Sequence, residues 1–102
     1  MKIVAITACT AGIAHTYLAK EKLLNAAEEL GYQCKIETQG SIGVEDELTA
    51  EEIAEADVVI LATDIRVSKE RFKGKPVVEI PIGMAVKSPK GVLQQIATKL
   101  GK

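Results

Sequence analysis

The sequence predicts a three-layer α/β fold of the Rossmann-like type, in which a four-stranded parallel sheet carries helices on both faces. Four short runs rich in β-branched and other apolar residues have the length of buried strands: residues 2–8, 34–38, 58–62 and 76–80. Segments with helical periodicity follow these runs, and this alternation is typical of βαβ units with right-handed crossovers. The 102 residues suit one domain, predicted to span 1–102, and are too few for two independent cores.

The charge and composition of the chain exclude several classes of partner. Thirteen basic residues against fourteen acidic ones give a formal net charge of −1, and no basic cluster stands apart from compensating acids. Aromatic residues make up only 3% of the chain, which leaves few platforms for stacking bases. No apolar run approaches the ~20 residues of a membrane span. We therefore expect a cytoplasmic protein that neither binds nucleic acid nor inserts directly into a membrane.

The sequence also gives no sign of a metal or a cofactor. Its two cysteines, Cys9 and Cys34, lack the spacing of a zinc or redox motif. The single histidine, His15, cannot complete a metal site with them without further ligands. Both cysteines are therefore expected to be reduced thiols, and no cofactor is expected.

The first two helices are marked by periodicity and by a cap. Apolar residues recur on one face of residues 15–30, and Gly31 provides the stop. In the second helix, Thr49 and Glu52 are spaced as a capping box, in which each side chain satisfies a free N–H at the helix start. This helix is short and ends near Ala56.

The C-terminal part of the chain carries a weak helical piece at residues 68–72 and a better marked last helix. Ser88 before Pro89 predicts an N-cap followed by the first helical position. Apolar residues then recur at core spacing, and Gly101 ends the helix.

Three further loops should share the carboxyl edge of the sheet with the loop after the first strand, and ligands bind at that edge in folds of this class. They are residues 38–44, 63–67 and 81–86. Asp64 is expected to set its loop by accepting hydrogen bonds from backbone amides. The charge runs at residues 45–47 and 69–71 are expected to be solvated faces.

The chemistry is concentrated in the connection after the first strand. A thiol, Cys9, follows the strand directly, Gly12 allows backbone conformations closed to other residues, and a helix begins soon afterwards. Successive N–H groups in such a turn, backed by a helix N-terminus, form a nest for an anion and favour the thiolate. The anion could be the sulfur itself or a phosphoryl group carried on it. The hydroxyls of Thr10 and Thr16 can add donors, and the His15 ring could approach the same pocket.

Other interpretations of these residues stay open. Cys9 could be a small buried apolar residue and Gly12 could serve only a tight turn, although the coincidence of strand end, glycine loop and helix start favours a functional thiol. Cys34 opens a strand with no helix N-terminus behind it, which favours a structural thiol. For His15, a phosphate contact is favoured over a proton shuttle, because phosphoryl transfer to a thiolate releases no proton that needs a base.

Residues 9–16 read Cys-Thr-Ala-Gly-Ile-Ala-His-Thr, and further characteristic segments lie at residues 37–41, 56–57 and 71–76. Over nearly its whole length the sequence resembles the fructose-type IIB component of the bacterial phosphoenolpyruvate-dependent sugar phosphotransferase system. The active-site loop of that family reads Cys-Pro-Thr-Gly-Ile-Ala-His-Thr. The loop here differs from it only where Thr10 and Ala11 replace the Pro and the Thr.

The resemblance implies a single IIB domain that acts as a phosphohistidine–sugar phosphotransferase. A IIA partner would pass a phosphoryl group from a phosphohistidine to Cys9. The phosphocysteine would then pass it to a sugar, fructose above all, held by the membrane partner IIC, so that the cytoplasmic domain meets the inner face of the membrane transiently. Such transfer needs positioning and charge stabilisation, which a cradle of N–H groups can supply without a metal. The implied site consists of the catalytic Cys9 and of phosphate-binding residues Thr10, Ala11, Gly12, Ile13, Ala14, His15 and Thr16.

Two other functions remain open on the sequence alone. The spacing from Cys9 to Thr16 approaches the C-x5-R-[ST] loop of low-molecular-weight tyrosine phosphatases, which also carry phosphocysteine. However, His15 stands where the phosphate-clamping arginine belongs, and the chain has no Asp-Pro segment to supply a general acid. The second alternative is a non-catalytic regulatory module of the same fold, which would have no need of the retained Cys9.

Overall fold

In the part of the chain that the structure describes, five strands form one sheet. The structure is a computed structural model that describes residues 1–8, 13–40, 43–64, 67 and 69–101. The strands are β1 (Lys2–Ala8), β2 (Gln33–Gly40), β3 (Gly43–Glu45), β4 (Val58–Thr63) and β5 (Val77–Ile80). Their order across the sheet is β3-β2-β1-β4-β5, so β1 lies at the centre with a neighbour on each side.

Four strands of the sheet are parallel, as predicted, but the predicted total of four is wrong by one strand. β1, β2, β4 and β5 run in one direction. β3 runs antiparallel to β2, and Gly40 pairs with Gly43 where the chain reverses. Gly43 has a φ of 108°, a conformation that favours glycine. The loop expected over residues 38–44 is corrected at both ends, because β2 extends to Gly40 and β3 begins at Gly43. The three residues of β3 are all exposed and too few for an alternating pattern, so the sequence did not predict this strand.

The helices cover both faces of the sheet, which confirms the three predicted layers. They are α1 (Ile13–Leu30), α2 (Ala50–Glu55), α3 (Ile82–Lys87) and α4 (Pro89–Leu100), with a 3₁₀ turn at Glu70–Phe72. Buried residues of α1, α3 and α4 pack together on one face, called here the α1 face. Buried residues of α2 and the 3₁₀ turn pack on the other, called the α2 face.

The central strand β1 supplies both halves of the core because successive side chains of a strand point to opposite faces. Ile3 and Ala5 belong to the cluster on the α1 face, where they meet Leu23 of α1. Val4 and Ile6 belong to the cluster on the α2 face, beside Phe72 of the 3₁₀ turn. From Ile3 onwards the strand is fully buried, which is characteristic of a strand covered on both sides.

Most of the predicted helix ends are confirmed. The Glu52 backbone N–H donates to Thr49 Oγ1 at 3.1 Å, and the Thr49 N–H donates to Glu52 Oε1 at 2.9 Å, which completes the capping box of α2. Gly31 and Gly101 follow α1 and α4 with φ of 78° and 73°, the left-handed conformation of a helix end. The weak piece predicted at residues 68–72 is the 3₁₀ turn.

Two features of the C-terminal part correct the predictions. Residues 82–87 form α3, although a loop was expected over 81–86, because a six-residue helix containing Gly83 shows too little periodicity to be detected. Ser88 stands at the N-cap position of α4, but its hydroxyl makes no capping bond. Its backbone N–H instead donates to the Met84 carbonyl and closes α3, with φ −137° and ψ 54°. Pro89 occupies the first turn of α4 as predicted.

Candidate functional site

The carboxyl ends of the four parallel strands meet at one edge of the sheet. β1 ends at Ala8, which pairs with Gln39 of β2 on one side and with Thr63 of β4 on the other. The chain passes from β1 outwards to β2 on one side and returns later to β4 on the other. The end of β1 is therefore the point where the strand order reverses, which is where open α/β sheets bind their ligands.

The predicted site falls on the connection between this point and α1. Cys9, Thr10, Ala11 and Gly12 lie outside the described residues, and they join Ala8 to the first residue of α1, Ile13. Residues 13–15 have helical backbone, but the side chains of Ile13, Ala14 and His15 also lie outside the description. Of the eight predicted site residues, Thr16 is thus the one whose side chain the structure places.

Thr16 joins the first turn of α1 to the end of β1. Its backbone carbonyl accepts a hydrogen bond from Thr7 Oγ1 at 3.1 Å, and both threonines are buried. The Thr16 hydroxyl itself is buried and has no partner among the described residues. Burying a hydroxyl without a hydrogen-bond partner lowers the stability of a fold by roughly 1–3 kcal/mol. An acceptor placed near Thr16 Oγ1 would remove this cost.

The electrostatics of this helix end favour an anion. The backbone N–H groups at the start of a helix lack partners within the helix, and the aligned peptide dipoles place a partial positive charge there. The first turn of α1 contains no acidic side chain that would neutralise this charge. A helix of 18 residues presents the full effect at its N-terminus.

On the α2 face of the same edge, a buried carboxylate collects four hydrogen bonds. Glu37 of β2 has a side chain only 1% exposed and forms a two-pronged ion pair with Arg71, at 3.0 Å from Nη1 to Oε1 and 2.9 Å from Nη2 to Oε2. Gln39 Nε2 donates to Oε2 at 2.6 Å, and the Leu48 backbone N–H donates to Oε1 at 3.0 Å. Glu37 thereby connects the end of β2, the segment before α2 and the 3₁₀ turn.

Glu37 is ionised in spite of its burial. Burial by itself raises the pKa of a carboxyl group, but the hydrogen bonds from Arg71, Gln39 and the Leu48 amide outweigh it and lower the pKa of Glu37 below its ordinary value. Glu37 correspondingly raises the pKa of Arg71. The Arg71 guanidinium also lies 5.3 Å from the centre of the buried Phe72 ring, a cation–π contact that fixes its plane.

This cluster is the part of the carboxyl edge that the sequence did not predict. The predicted solvated face at residues 69–71 is exposed at all three positions, but the Arg71 guanidinium in addition binds a buried carboxylate. A partial signal was present in the sequence, because Glu37 falls within residues 34–38, a run that has the length of a buried strand. A charged residue at such a position requires a partner. The run at residues 45–47 is exposed, as predicted.

Asp64 performs the structural role expected of it. Its side chain accepts a hydrogen bond from the Ile82 backbone N–H at 3.2 Å, at the first residue of α3. Its own backbone N–H donates to the Ala8 carbonyl at 3.1 Å. Asp64 therefore ties the end of β4 both to the end of β1 and to the start of α3.

Cys34 lies away from this edge, near the start of β2, and has the properties of a structural thiol. Burial raises its pKa to about 12, so the thiol keeps its proton at neutral pH. It packs against the core cluster of the α1 face. This agrees with the expectation that Cys34 is not a nucleophile.

The described residues contain no group of three or more His, Cys, Asp or Glu side chains arranged to hold a metal ion. No helix in the described part of the chain is both long enough and apolar enough to cross a membrane.

Comparison with known proteins gives consistent matches over nearly the whole chain. A family model described as the lactose/cellobiose-specific IIB subunit of the phosphotransferase system (PTS) matches residues 4–95. The chain is 50% identical over 102 residues to the PTS fructose-like EIIB component 2 of Escherichia coli K12, covering 99% of this chain and 96% of that protein.

The likeness extends to larger proteins and to solved structures. The chain is 45% identical over 94 residues to the PTS fructose-specific EIIABC component of Bacillus subtilis, covering 92% of this chain and 15% of that protein. A crystal structure of a domain of the fructose-specific IIABC component of Borrelia burgdorferi superimposes with a TM-score of 0.90 at 47% identity, over 92% of this chain and 90% of that one.

Proposed function

The chain belongs to the IIB component family of the sugar phosphotransferase system, and we propose that it relays a phosphoryl group through Cys9 during sugar uptake. The resemblance of the sequence to the fructose-type IIB components is confirmed by identities near 50% over the full domain. The family implies sugar phosphotransferase activity in general. The acceptor residue, the sugar and the partners are the proposal.

The relay consists of two displacements at phosphorus. In the first, the Cys9 thiolate attacks the phosphohistidine of IIA: an S–P bond forms, the N–P bond breaks, and the electron pair returns to the imidazole nitrogen. In the second, a sugar hydroxyl attacks the same phosphorus, the S–P bond breaks and the thiolate is regenerated. The hydroxyl proton passes to solvent or to a base of the sugar-binding partner. Both steps depend mainly on alignment and on stabilisation of the charge on the phosphoryl oxygens.

The observation that carries this proposal is the place of Cys9 in the chain, between the end of β1 and the start of α1. Cys9 follows the last residue of the central strand, Ala8, and precedes the start of an 18-residue helix by four residues. A sulfur held near the positive N-terminal end of α1, whose first turn has no acidic side chain, would have a lowered pKa and would favour the thiolate. Cys34, partly buried and with a pKa of about 12, offers no such nucleophile.

Thr16 supports an oxyanion at the same place. Its hydroxyl is buried, has no partner in the described structure and belongs to the first turn of α1. A phosphoryl oxygen on Cys9 would accept this hydrogen bond, together with bonds from the backbone N–H groups of Thr10, Ala11, Gly12, Ile13, Ala14 and His15. Thr16 would then exchange an unsatisfied donor for a charge-assisted bond.

The names of the relatives support the choice of partners and sugar. The Bacillus subtilis relative is a fructose-specific protein that joins A, B and C components in one chain, so IIA and IIC functions occur beside this domain there. We infer a IIA phosphohistidine donor and a membrane IIC partner for this chain, with a cytoplasmic IIB domain that meets IIC at the inner face of the membrane. Fructose is the sugar we propose, and mannose-like sugars or sugar alcohols are the alternatives to be assayed beside it.

The docking surface for IIA should cover the carboxyl edge, because a donor histidine must reach Cys9 in line. Met84 in α3 is 45% exposed near this edge and offers an apolar contact. We expect four further apolar contacts there, from Ile13, Ala14, Ile42 and Ile65. Ile42 and Ile65 lie outside the described residues, as do the side chains of Ile13 and Ala14. A carrier must release its partner, so we expect an interface of the small, transient class, roughly under 1,200 Å² in total.

The proposal is tested by incubating the chain with IIA phosphorylated from labelled phosphoenolpyruvate. We expect one acid-labile phosphoryl group on the wild-type chain and none on Cys9→Ser, because a serine hydroxyl without a base is a poor nucleophile. Cys34→Ser is the matched control and should accept the group at the wild-type rate. Addition of membranes containing IIC and of single sugars then shows which sugar discharges Cys9.

The same assay separates the alternative functions. Continuous release of inorganic phosphate without a sugar would indicate a phosphatase. No labelling at all would indicate a regulatory module. Full labelling of Cys9→Ser, or loss of labelling only in Cys34→Ser, would overturn the assignment of the acceptor.

A further inference from the structure

Gln39 occupies the position in β2 that lies directly beside the end of β1. In the register of the two strands it pairs with Ala8, the residue before Cys9. Its side chain lies on the α2 face with those of Ala8 and Glu37, since alternate residues of a strand share a face and paired residues of neighbouring strands do so too. No role was assigned to Gln39 by the sequence beyond a polar loop.

The side-chain amide of Gln39 is held in one orientation. Glu37 is ionised and can only accept hydrogen bonds, so the amide nitrogen of Gln39 must face it, at 2.6 Å from Oε2. The carbonyl oxygen of the same amide is thereby turned away from Glu37. Glu37 is itself fixed by the two prongs of Arg71, and Arg71 is fixed against the Phe72 ring.

The arrangement is more elaborate than stability requires. A buried ion pair recovers little net free energy beyond its desolvation cost, and an apolar pair of similar volume often serves as well. The two oxygens of Glu37 nevertheless accept hydrogen bonds from four donors, and one of these donors is the Gln39 side chain at the carboxyl edge of the sheet. What such a network provides is a fixed position for that side chain.

We propose that Gln39 is a positioning residue for phosphoryl transfer and that the Glu37–Arg71 ion pair acts on the reaction by holding it. This inference rests on the proposed relay through Cys9. The anchored side chain of Gln39 belongs to the residue of β2 that pairs with Ala8, so it can support the position of the residue that follows, Cys9. A small error there misplaces the nucleophile relative to phosphorus, and misplacement by about 1 Å can lower a rate a hundredfold.

The experiment measures single-turnover phosphoryl transfer from phosphorylated IIA at saturating and at limiting IIA. Gln39→Met keeps the length of the side chain, cannot hydrogen-bond to Glu37 and leaves the Glu37–Arg71 pair in place. We expect its saturating rate constant to fall roughly ten- to a hundredfold with little change in the IIA concentration for half-maximal rate. Its Tm should fall slightly, because the buried Glu37 carboxylate loses one of its four donors. The variant should still be fully folded at the assay temperature, so unfolded protein cannot account for the lost rate.

A double-mutant cycle tests whether the ion pair acts through Gln39. Arg71→Lys keeps the charge but loses the planar fork, and should slow transfer in the wild-type background. In the Gln39→Met background it should slow transfer no further, because residues that act as a unit are not additive. Lys35→Met is the matched control: it removes an ion pair to Glu52 from the same face of β2 and should leave the rate unchanged.

The outcomes distinguish this inference from the proposed function. Wild-type labelling at Cys9 with an undiminished rate in Gln39→Met would overturn the inference and leave the relay standing. An equal effect of Arg71→Lys in both backgrounds would show that the ion pair acts without Gln39, which also overturns it. Absence of Cys9 labelling in the wild type would overturn the relay and the inference together.

Discussion

Two ion pairs on the same face of β2 start from residues only two positions apart, Lys35 and Glu37, and they differ in the solvent exposure of their side chains. The Lys35–Glu52 pair joins β2 to α2 with an N–O distance of 2.8 Å, and its side chains are 40% and 32% exposed. The Arg71–Glu37 pair has nearly the same distance, 2.9 Å, but the Glu37 side chain is 1% exposed. Geometry alone would rank these contacts as equals.

The difference between the two pairs lies in what remains when one partner is removed. Without Lys35, the Glu52 carboxylate turns to water and keeps its bond to the Thr49 amide at the start of α2. Without Arg71, Glu37 remains a charge in the core with two of its four donors lost. The penalty for an unpaired buried charge far exceeds the value of an exposed pair, so the two contacts should respond very differently to substitution.

The largest effect is expected from Arg71→Met. It leaves the Glu37 charge buried beside two neutral donors, and we expect a loss of roughly 3 kcal/mol in the free energy of unfolding. This is the low end for broken buried pairs, because the Arg71 side chain is 35% exposed and water can enter the space it leaves. Urea unfolding followed by circular dichroism measures the change. A loss no larger than that of an exposed pair would show that Glu37 is not effectively buried.

Removal of both charges should be less costly than removal of one. In the double variant Glu37→Gln, Arg71→Met, no buried charge remains, and the new amide oxygen can still accept from the Leu48 backbone N–H. We expect it to be more stable than Arg71→Met alone by at least about 1 kcal/mol. The same unfolding experiment compares the two proteins. If the double variant is the less stable, favourable Coulomb energy rather than relief of desolvation dominates at this site.

Acid should affect the buried pair more than the exposed one. The pKa of Glu37 is lower in the folded chain than its ordinary value of 4.5, so the stabilisation is present above about pH 4.5 and is lost as the pH falls through the folded-state pKa. We expect the free energy of unfolding of the wild type to fall more steeply below pH 4.5 than that of Glu37→Gln. The effect should be smaller than that of Arg71→Met, since a protonated Glu37 is neutral. Parallel acid limbs for the two proteins would contradict the lowered pKa.

The smallest effect is expected from Lys35→Met. Both partners of the Lys35–Glu52 pair are partly exposed, and exposed pairs contribute little because hydration replaces them. The unfolding midpoint in urea should match that of the wild type within experimental scatter, and added salt should not separate the two curves. A loss comparable to that of Arg71→Met would mean that exposure does not distinguish the two contacts.

The sequence was sufficient for the elements that depend on local signals. Buried β-branched runs predicted the four parallel strands, and Thr49 with Glu52 predicted the capping box of α2. It was not sufficient where an element depends on a distant residue. The helix α3 begins where the Ile82 amide meets Asp64, which precedes it by a whole strand, and β3 exists only through its pairing with β2. Neither contact leaves a periodic pattern in its own segment.

The candidate site divides in the same way. Cys9, Gly12 and Thr16 were identified from the order strand, glycine loop, helix, which is visible within one stretch of eight residues. The Glu37–Arg71 pair joins residues 34 positions apart, so only the folded chain brings them together. Glu37 lies in a run with the length of a buried strand, but Lys35 in the same run is charged as well, and nothing in the sequence distinguished Arg71 from its charged neighbours.

The central place of β1 affects the order in which the molecule can assemble during translation. Of the strands in this sheet β1 is synthesised first, and α1 and β2 can join it as soon as they emerge from the ribosome. Its other edge has no partner until Val58–Thr63 has been made, when β4 pairs with it and the Lys2 N–H reaches Asp57 Oδ2 at 2.8 Å. A nascent chain that stalls before Val58 therefore exposes the unpaired edge of an apolar strand, a template for aggregation with neighbouring chains.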